Sequence, residues 1–380
     1  TGVAVAVGPV LGGAITSGLT WRWIFFVNVP IGIAALFITL RWVEESKLAD
    51  APRPDVPGFI SFSLALAGLV FGLIRSQAEG WGSLQVLGSL IAAAVLLIAF
   101  VVIERRVRAP MLDLGLLRVP TFNGGLVAAW AVSASIFSML TYLVIYFQNL
   151  LGYSAVAAGL RFLPLTGAVF LIAGPAGRLT TKVQIRYLIG AGFGFVTVGL
   201  LLMRGLTPSA GWTHFLPGFI VAGVGAGLIN VPLASTAVAV VPAERAGMAS
   251  GINSTLRQVG IATGVAALGT ILTGRIRSEV VAHLAGTPLA AHSHALATTI
   301  GAGGIHQAIA AAPHQVQGLV IAAARVSFVD ALNTILLIAA GVALAGMIVA
   351  LVAIRQRDFI EAGGPVPTPE ISPEAGSLAA

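Results

Sequence analysis

The chain has 380 residues, 57% of them apolar and 9% charged, against about 25% charged in ordinary soluble domains. Lys and Arg number 21 against 14 Asp and Glu, and there is no cysteine. This composition excludes an ordinary soluble enzyme domain, a disordered chain, a disulfide scaffold, a thiol-ligated metal site and a cysteine nucleophile. The pI near 10.7 is read as a topology signal rather than a nucleic-acid footprint, because the charges are spread thinly over an apolar chain.

A membrane-crossing helix needs roughly 20 mostly apolar residues. The segments 84–103, 122–147, 215–243 and 331–354 carry no charge at all. With these as a template, ten spans are predicted in order: 1–17, 23–40, 57–74, 84–103, 122–147, 155–177, 187–203, 214–241, 249–273 and 328–354. Pro164, Pro175, Pro217 and Pro232 fall inside spans, where transmembrane helices tolerate them. The first span is short and lacks a charged leader, so it does not read as a signal peptide; the simplest reading is a chain that begins inside a helix. Between the spans lie a Pro-rich linker at 41–56, a basic linker at 104–120, and a long outer loop at 274–327 rich in Ala, Gly and His. The tail 361–380 reads as disordered. No G-x-x-x-x-G-K-[ST] run occurs, which argues against ATP hydrolysis in this chain.

Loop charges set the orientation. One set of loops plus the tail holds 13 Lys and Arg and the alternate set holds 7, which places the C-terminus in the cytoplasm. Five Trp (Trp21, Trp23, Trp42, Trp81, Trp212) sit at span ends as an aromatic belt would place them, and Trp130 is the exception. Two Lys against 19 Arg, with abundant Ala, Gly and Val, suggest a GC-rich bacterial source.

The first span contains Gly8-Pro9-Val10-Leu11-Gly12-Gly13. Glycines let a neighbouring helix approach, and proline breaks one backbone hydrogen bond, so the run predicts a kinked, tightly packed seam. This run resembles the antiporter motif of the fifth helix in major facilitator superfamily exporters. Three further stretches resemble the fourteen-helix drug:proton antiporter subfamily of that superfamily. They are Trp21-Arg22-Trp23 through Asn28-Val29-Pro30-Ile31-Gly32, the turn Gln148…Gly152-Tyr153-Ser154…Leu163-Pro164, and Ala249-Ser250-Gly251 through Arg257-Gln258-Val259-Gly260. The resemblance covers about residues 1–355. It implies an all-α polytopic membrane protein with the major facilitator fold. The ten spans become helices five to fourteen of fourteen, in an N-terminally truncated chain. Residues 1–40 would close the N-terminal bundle. Residues 41–120 would hold the linkers and two extra helices, 121–354 the C-terminal six-helix bundle with its outer loop, and 355–380 a cytoplasmic tail. The loop from Gly177 to Gln184 resembles a degenerate copy of the family's cytoplasmic signature, with Thr181 where Asp is expected and Gln184 where Gly is, so a gate latch is not expected there.

Arg257 lies about 11 residues, roughly 16 Å, into its span, where a charge is expensive and usually functional. Two roles stay open: a cavity or gate cation, or a structural Arg bonded to carbonyls of a neighbouring helix. Ser250, Ser254 and Gly264 share its face by helical spacing. Asn230, Asn253 and Gln258 are candidates for the same polar cavity, or for hydrogen bonds between helices. None of the 14 acids sits in the middle of a span; Asp330, near the outer end of the last one, comes closest. A coupling carboxylate therefore lies in absent helices or is Asp330, the candidate proton site, which also reads as an outer-end cap. His292 and His294 could bind a metal, but a solvated loop is the better reading, and no metal or other cofactor is expected. His214 reads as interfacial.

The expected function is proton-coupled export of small organic or amphipathic compounds, drugs or antibiotics among them, across the bacterial cytoplasmic membrane. The expected partners are that small-molecule substrate, protons and the lipid bilayer, with no nucleic acid and the protein as a monomer. The chain is not expected to be an enzyme, since no acids or histidines cluster within spans. The alternatives are an exporter of one endogenous metabolite, or a non-transporting scaffold or inactive fragment.

Overall fold

The computed structural model describes residues 2–43, 55–107, 110–242, 245–301 and 303–359. Most of the first linker, Arg108 and the tail 361–380 lie outside them. Among the described residues all regular structure is helical. In chain order these are α1 (Gly2–Gly18), the single turn α2 (Trp23–Phe26), α3 (Asn28–Trp42), α4 (Val56–Glu79) and α5 (Leu84–Glu104). One long rod follows, α6 (Pro120–Val132) and α7 (Ser138–Ile145), interrupted by a π-turn at Ser133–Phe137 and extended by another at Tyr146–Leu150. Then come α8 (Ala155–Arg161), α9 (Leu163–Leu179), α10 (Ile185–Leu202), α11 (Leu216–Ala239), α12 (Ala246–Leu284), α13 (Ser293–Gly301), α14 (Ile305–Ala311) and α15 (Gln317–Ala353).

Eight of these helical stretches are long and apolar enough to cross a membrane, and α8 with α9, bent by 43°, make a ninth. At 17 residues, α1 spans about 26 Å, a little less than a hydrocarbon core of about 30 Å. Side-chain caps start several helices. Asp55 Oδ1 accepts from the Gly58 N–H at 2.9 Å, Ser83 Oγ from Val86 at 3.2 Å and Ser154 Oγ from Ala157 at 3.2 Å. Each satisfies a backbone donor that a helix start leaves open.

The segment 274–327, expected as a long loop, is largely helical among the described residues. α12 continues to Leu284, and α15 begins at Gln317. The cause is visible along α12: Ile276, Val280 and Leu284 recur every four residues, and all three are buried. Val320, Ala323 and Ala324 face them from α15, and Ala297, Ile300, Ile305 and Ala308 of α13 and α14 join the same continuous core. Arg275 and Arg277 mark the exposed face of this extension.

The bundle's centre is aromatic. Tyr146, Phe147, Phe215 and Phe219 are fully buried, with neighbouring ring centroids 5.4–6.3 Å apart. Lipid tails are as apolar as these rings, so close contact and ring geometry, rather than exclusion of water, hold such a centre together in a bilayer. Trp130, off the aromatic belt, donates from its indole N–H to Thr263 Oγ1 at 3.0 Å, which accounts for its mid-span place.

The two ends of the bundle are tied differently. At the end carrying the second linker, Glu104 folds back to accept the Leu112 N–H at 3.2 Å, and the guanidinium of Arg245 pairs with Asp113. Thr121 Oγ1 donates to Asp358 at 2.7 Å and accepts from the Arg355 N–H at 2.7 Å. At the far end, Asn333 Oδ1 accepts from the Gly205 and Leu206 N–H groups at 3.0 Å each, and its amide donates to Leu206 O at 3.1 Å. Arg161, at the bend between α8 and α9, lies 3.6 Å from the centroid of the Tyr153 ring and donates to Ala157 O at 2.7 Å. The pair α4–α5 rests on α12 through α4, and Trp81, between them, donates to Thr270 Oγ1 at 3.2 Å.

These ties rank in strength. Asn333→Ala leaves the N–H and carbonyl of buried Leu206 without their partner, a loss of about 1–3 kcal/mol. Asp113→Asn breaks an ion pair between side chains that are 36% and 52% exposed, worth at most about 1 kcal/mol because water screens it. Thermal melts in detergent should show the Asn333 variant clearly below the parent and the Asp113 variant close to it.

Candidate functional site

A cavity of about 600 Å³ opens among α9, α11, α12 and the π-turn after α6. That volume is ordinary for a small-molecule site. The π-turn contributes Ser133 and Phe137, α9 contributes Val169 and Ala173, and α11 contributes Asn230, Val231 and Ala234. From α12 come Ser250, Asn253, Ser254, Arg257, Gln258 and Ile261.

Glycine brings α12 close enough to form this wall. A Cβ on Gly260 would stand 2.5 Å from the Trp130 carbonyl oxygen and 2.8 Å from Ser133 Cβ. Only hydrogen fits, so α12 lies directly against α6, one turn from Arg257. Ser138 Oγ then donates to Ser133 O at 2.9 Å, across the π-turn, and lies 3.2 Å from Ile261 O on α12. The wide turn is thereby fastened to the helix that carries the cation.

Arg257 is half-buried and donates from Nη1 to Asn230 Oδ1 at 2.9 Å. Asn230 in turn donates its amide to Ala226 O at 2.9 Å, which fixes its oxygen toward Arg257. Asn253 is buried and reaches Leu233 O at 3.4 Å; Gln258 is exposed on the cavity wall. Among the described residues no carboxylate lies within ion-pair distance of Arg257.

The structure therefore brings Arg257, Asn230, Asn253 and Gln258 to one cavity, with Ser250 and Ser254 beside them. Gly264 sits on the helix interface instead, against the Ala134 carbonyl. Asp330 is elsewhere. It is exposed at the far end, where it lines a separate pocket with Arg204 and Asn333. In the Gly-Pro run, Gly13 is buried, and a Cβ there would stand 2.6 Å from the Ala155 carbonyl, so α1 seats on α8. Gly8 and Gly12 meet nothing within 4 Å. Pro9 falls within α1, and its side chain lies outside the described residues. Thr180 and Thr181 donate to the carbonyls of Gly177 and Arg178 on their own helix, so their hydroxyls close a helix end. His292 and His294 are exposed, and among the described residues no three His, Cys, Asp or Glu side chains gather as a metal site.

Sequence reasoning missed Ser133, Phe137, Val169 and Ala173. Phe137, Val169 and Ala173 are indistinguishable in sequence from any lipid-facing residue. The Ser133/Ser135/Ser138 cluster was a usable signal, because hydroxyls that bond backbone carbonyls mark irregular turns.

A bundle of membrane-length helices enclosing a polar cavity with one deep cation defines a multi-pass membrane protein of transporter architecture. The Major Facilitator Superfamily profile matches residues 1–265, and the chain belongs to that family. It is 36% identical over 282 residues to the multidrug resistance protein Stp of Mycobacterium tuberculosis, covering 74% of this chain and 52% of that one. It is 33% identical over 283 residues to the tetracenomycin C resistance and export protein of Streptomyces glaucescens, covering 72% and 51%. It is 36% identical over 289 residues to the cephamycin export protein CmcT of Amycolatopsis lactamdurans, covering 74% and 59%. The chain thus spans about half the length of the curated relatives it matches. Among solved structures it is similar to a bacterial homologue of the human lysosomal transporter Spinster, inward-facing and occupied. The TM-score is 0.48 at 17% identity, covering 80% of this chain and 69% of that one.

Two glycines of the α1 run, Gly12 and Gly13, separate cleanly. Gly13→Val should cost about 1–3 kcal/mol by forcing α1 off α8. Gly12→Val, which points into open space, should leave the melt of this chain unchanged. Circular dichroism melts of the two variants side by side check this.

Proposed function

We propose that this chain is part of a secondary active exporter that moves small organic or amphipathic compounds, antibiotics among them, by proton antiport. The observation that carries the reading is Arg257, a deep cation on the wall of a 600 Å³ cavity in a major facilitator chain. The names of the relatives support drug export. Arg257, with Asn230, Asn253 and Gln258, would form this chain's share of the substrate cavity and gate. Gly8, Pro9, Gly12 and Gly13 would act as the antiporter motif, with Gly13 seating that helix on α8. The six-helix block 121–354 would move as one body against its counterpart, and the pair α4–α5 would ride on α12.

The excess of basic residues on one set of loops supports a C-terminus on the cytoplasmic side of a bacterial cytoplasmic membrane, with the protein as a monomer. No described carboxylate lines the cavity. The proton is therefore assigned to a carboxylate that meets the cavity from outside this wall, and Asp330, beside Arg204, is the weaker candidate.

The gene that encodes this chain, expressed in cells stripped of their own efflux systems, should lower accumulation of an exported compound. An uncoupler should restore accumulation to the level of empty cells. Arg257→Ala, with normal membrane levels, should cut transport efficiency at least about tenfold, read as kcat/KM. Export that ignores the uncoupler would remove the proton from the reading, and export that ignores Arg257→Ala would remove the cavity role.

A further inference from the structure

The side chains that wall the cavity divide by chemistry. Phe137, Val169, Val231 and Ile261 offer an apolar surface, and Ser133, Ser254, Asn253 and Gln258 offer neutral hydrogen-bonding groups. Charge enters at Arg257, and no Asp or Glu is among the lining residues. The described carboxylates lie elsewhere. Asp113 pairs with Arg245, Asp358 bonds Thr121, Glu279 faces His283 on the extension, and Asp330 is exposed in a separate pocket that Arg204 also lines.

A guanidinium carries five N–H donors in a planar fork. The structure gives one of them to Asn230, whose own amide is committed to Ala226, so the Asn acts as a brace and brings no charge. The fork matches a carboxylate, phosphate or sulfonate through paired hydrogen bonds. In apolar surroundings the attraction between opposite charges is screened far less than in water, and so is the repulsion between like charges. An organic cation entering this cavity would meet Arg257 with no carboxylate on the wall to offset it.

We infer that this cavity takes amphipathic anions, with the apolar body against Phe137 and Ile261 and a carboxylate or equivalent anionic head on Arg257. The inference rests on the cavity being the substrate site, and it names the substrate class.

The test uses this chain in lipid nanodiscs and three probes that share one ring system: 2-naphthoate, 2-naphthylmethanol and 2-naphthylmethylammonium. Binding is measured by equilibrium dialysis at neutral pH, with empty nanodiscs subtracted. The naphthoate should bind at least about tenfold more tightly than the ammonium, with the alcohol between them. Arg257→Gln should abolish that preference and leave the alcohol unchanged, and Arg257→Lys should keep it in part. Asn230→Asp, nearly isosteric, sets a carboxylate against Arg257 that cancels its charge and should likewise abolish the preference; it reads the same question if the Arg257 variants fail to fold. Equal binding of all three probes to the parent chain, or a preference that survives both Arg257→Gln and Asn230→Asp, would overturn the anion assignment while leaving the cavity in place. Failure of all three to bind, the alcohol included, would overturn the cavity reading and the assignment with it.

Discussion

The contact of α12 on the α6–α7 rod is the constraint on which the site depends. Gly260 removes the side chain that would hold the two helices apart, and Ser138 stitches the π-turn to Ile261. Beside this contact Arg257 reaches across to α11, where Asn230 receives it. A larger residue at Gly260 would disturb the position of the cation, the shape of the π-turn and the depth of the cavity together. In a bilayer such closeness is the main source of helix association, since burial of apolar surface adds little there.

The cation is held in a way that suits a binding site better than a strut. A structural Arg in a membrane helix would spend its donors on carbonyls of a neighbouring helix, which is one of the roles the sequence leaves open. Here one donor goes to a side-chain amide, and the group lines an open volume. The apolar and polar residues of the wall are mixed without acidic charge, so the electrostatic character of this half of the cavity is set by a single group.

Much of this was legible in the sequence. Charge-free stretches near 20 residues give the spans because hydrocarbon admits little else, and the described helices overlap every predicted span. The cavity polar set was legible too, since Asn and Arg stand out in an apolar background and helical spacing aligns 250, 254 and 257. What escaped was everything decided by packing between distant segments. Ser133 and Phe137 reach the site through a π-turn that no periodicity announces. Asn333 ties together loop groups 127 and 128 residues away. The extension of α12 was hidden by Arg275 and Arg277, which look like the end of a span; the buried series Ile276, Val280, Leu284 was the signal that the helix runs on.

That continuous helix has a mechanical consequence. From Arg257 to Leu284 is 27 residues of unbroken helix within α12, about 40 Å at 1.5 Å per residue. The residue at the cavity and the tip of the extension therefore belong to one lever. A tilt of about 10° with its pivot at the cation displaces the tip by about 7 Å over that length. The tip is clamped to α13, α14 and the start of α15, so the small helices would be carried along as its load, and a change at the cavity would be legible at the surface without any change in the helix itself.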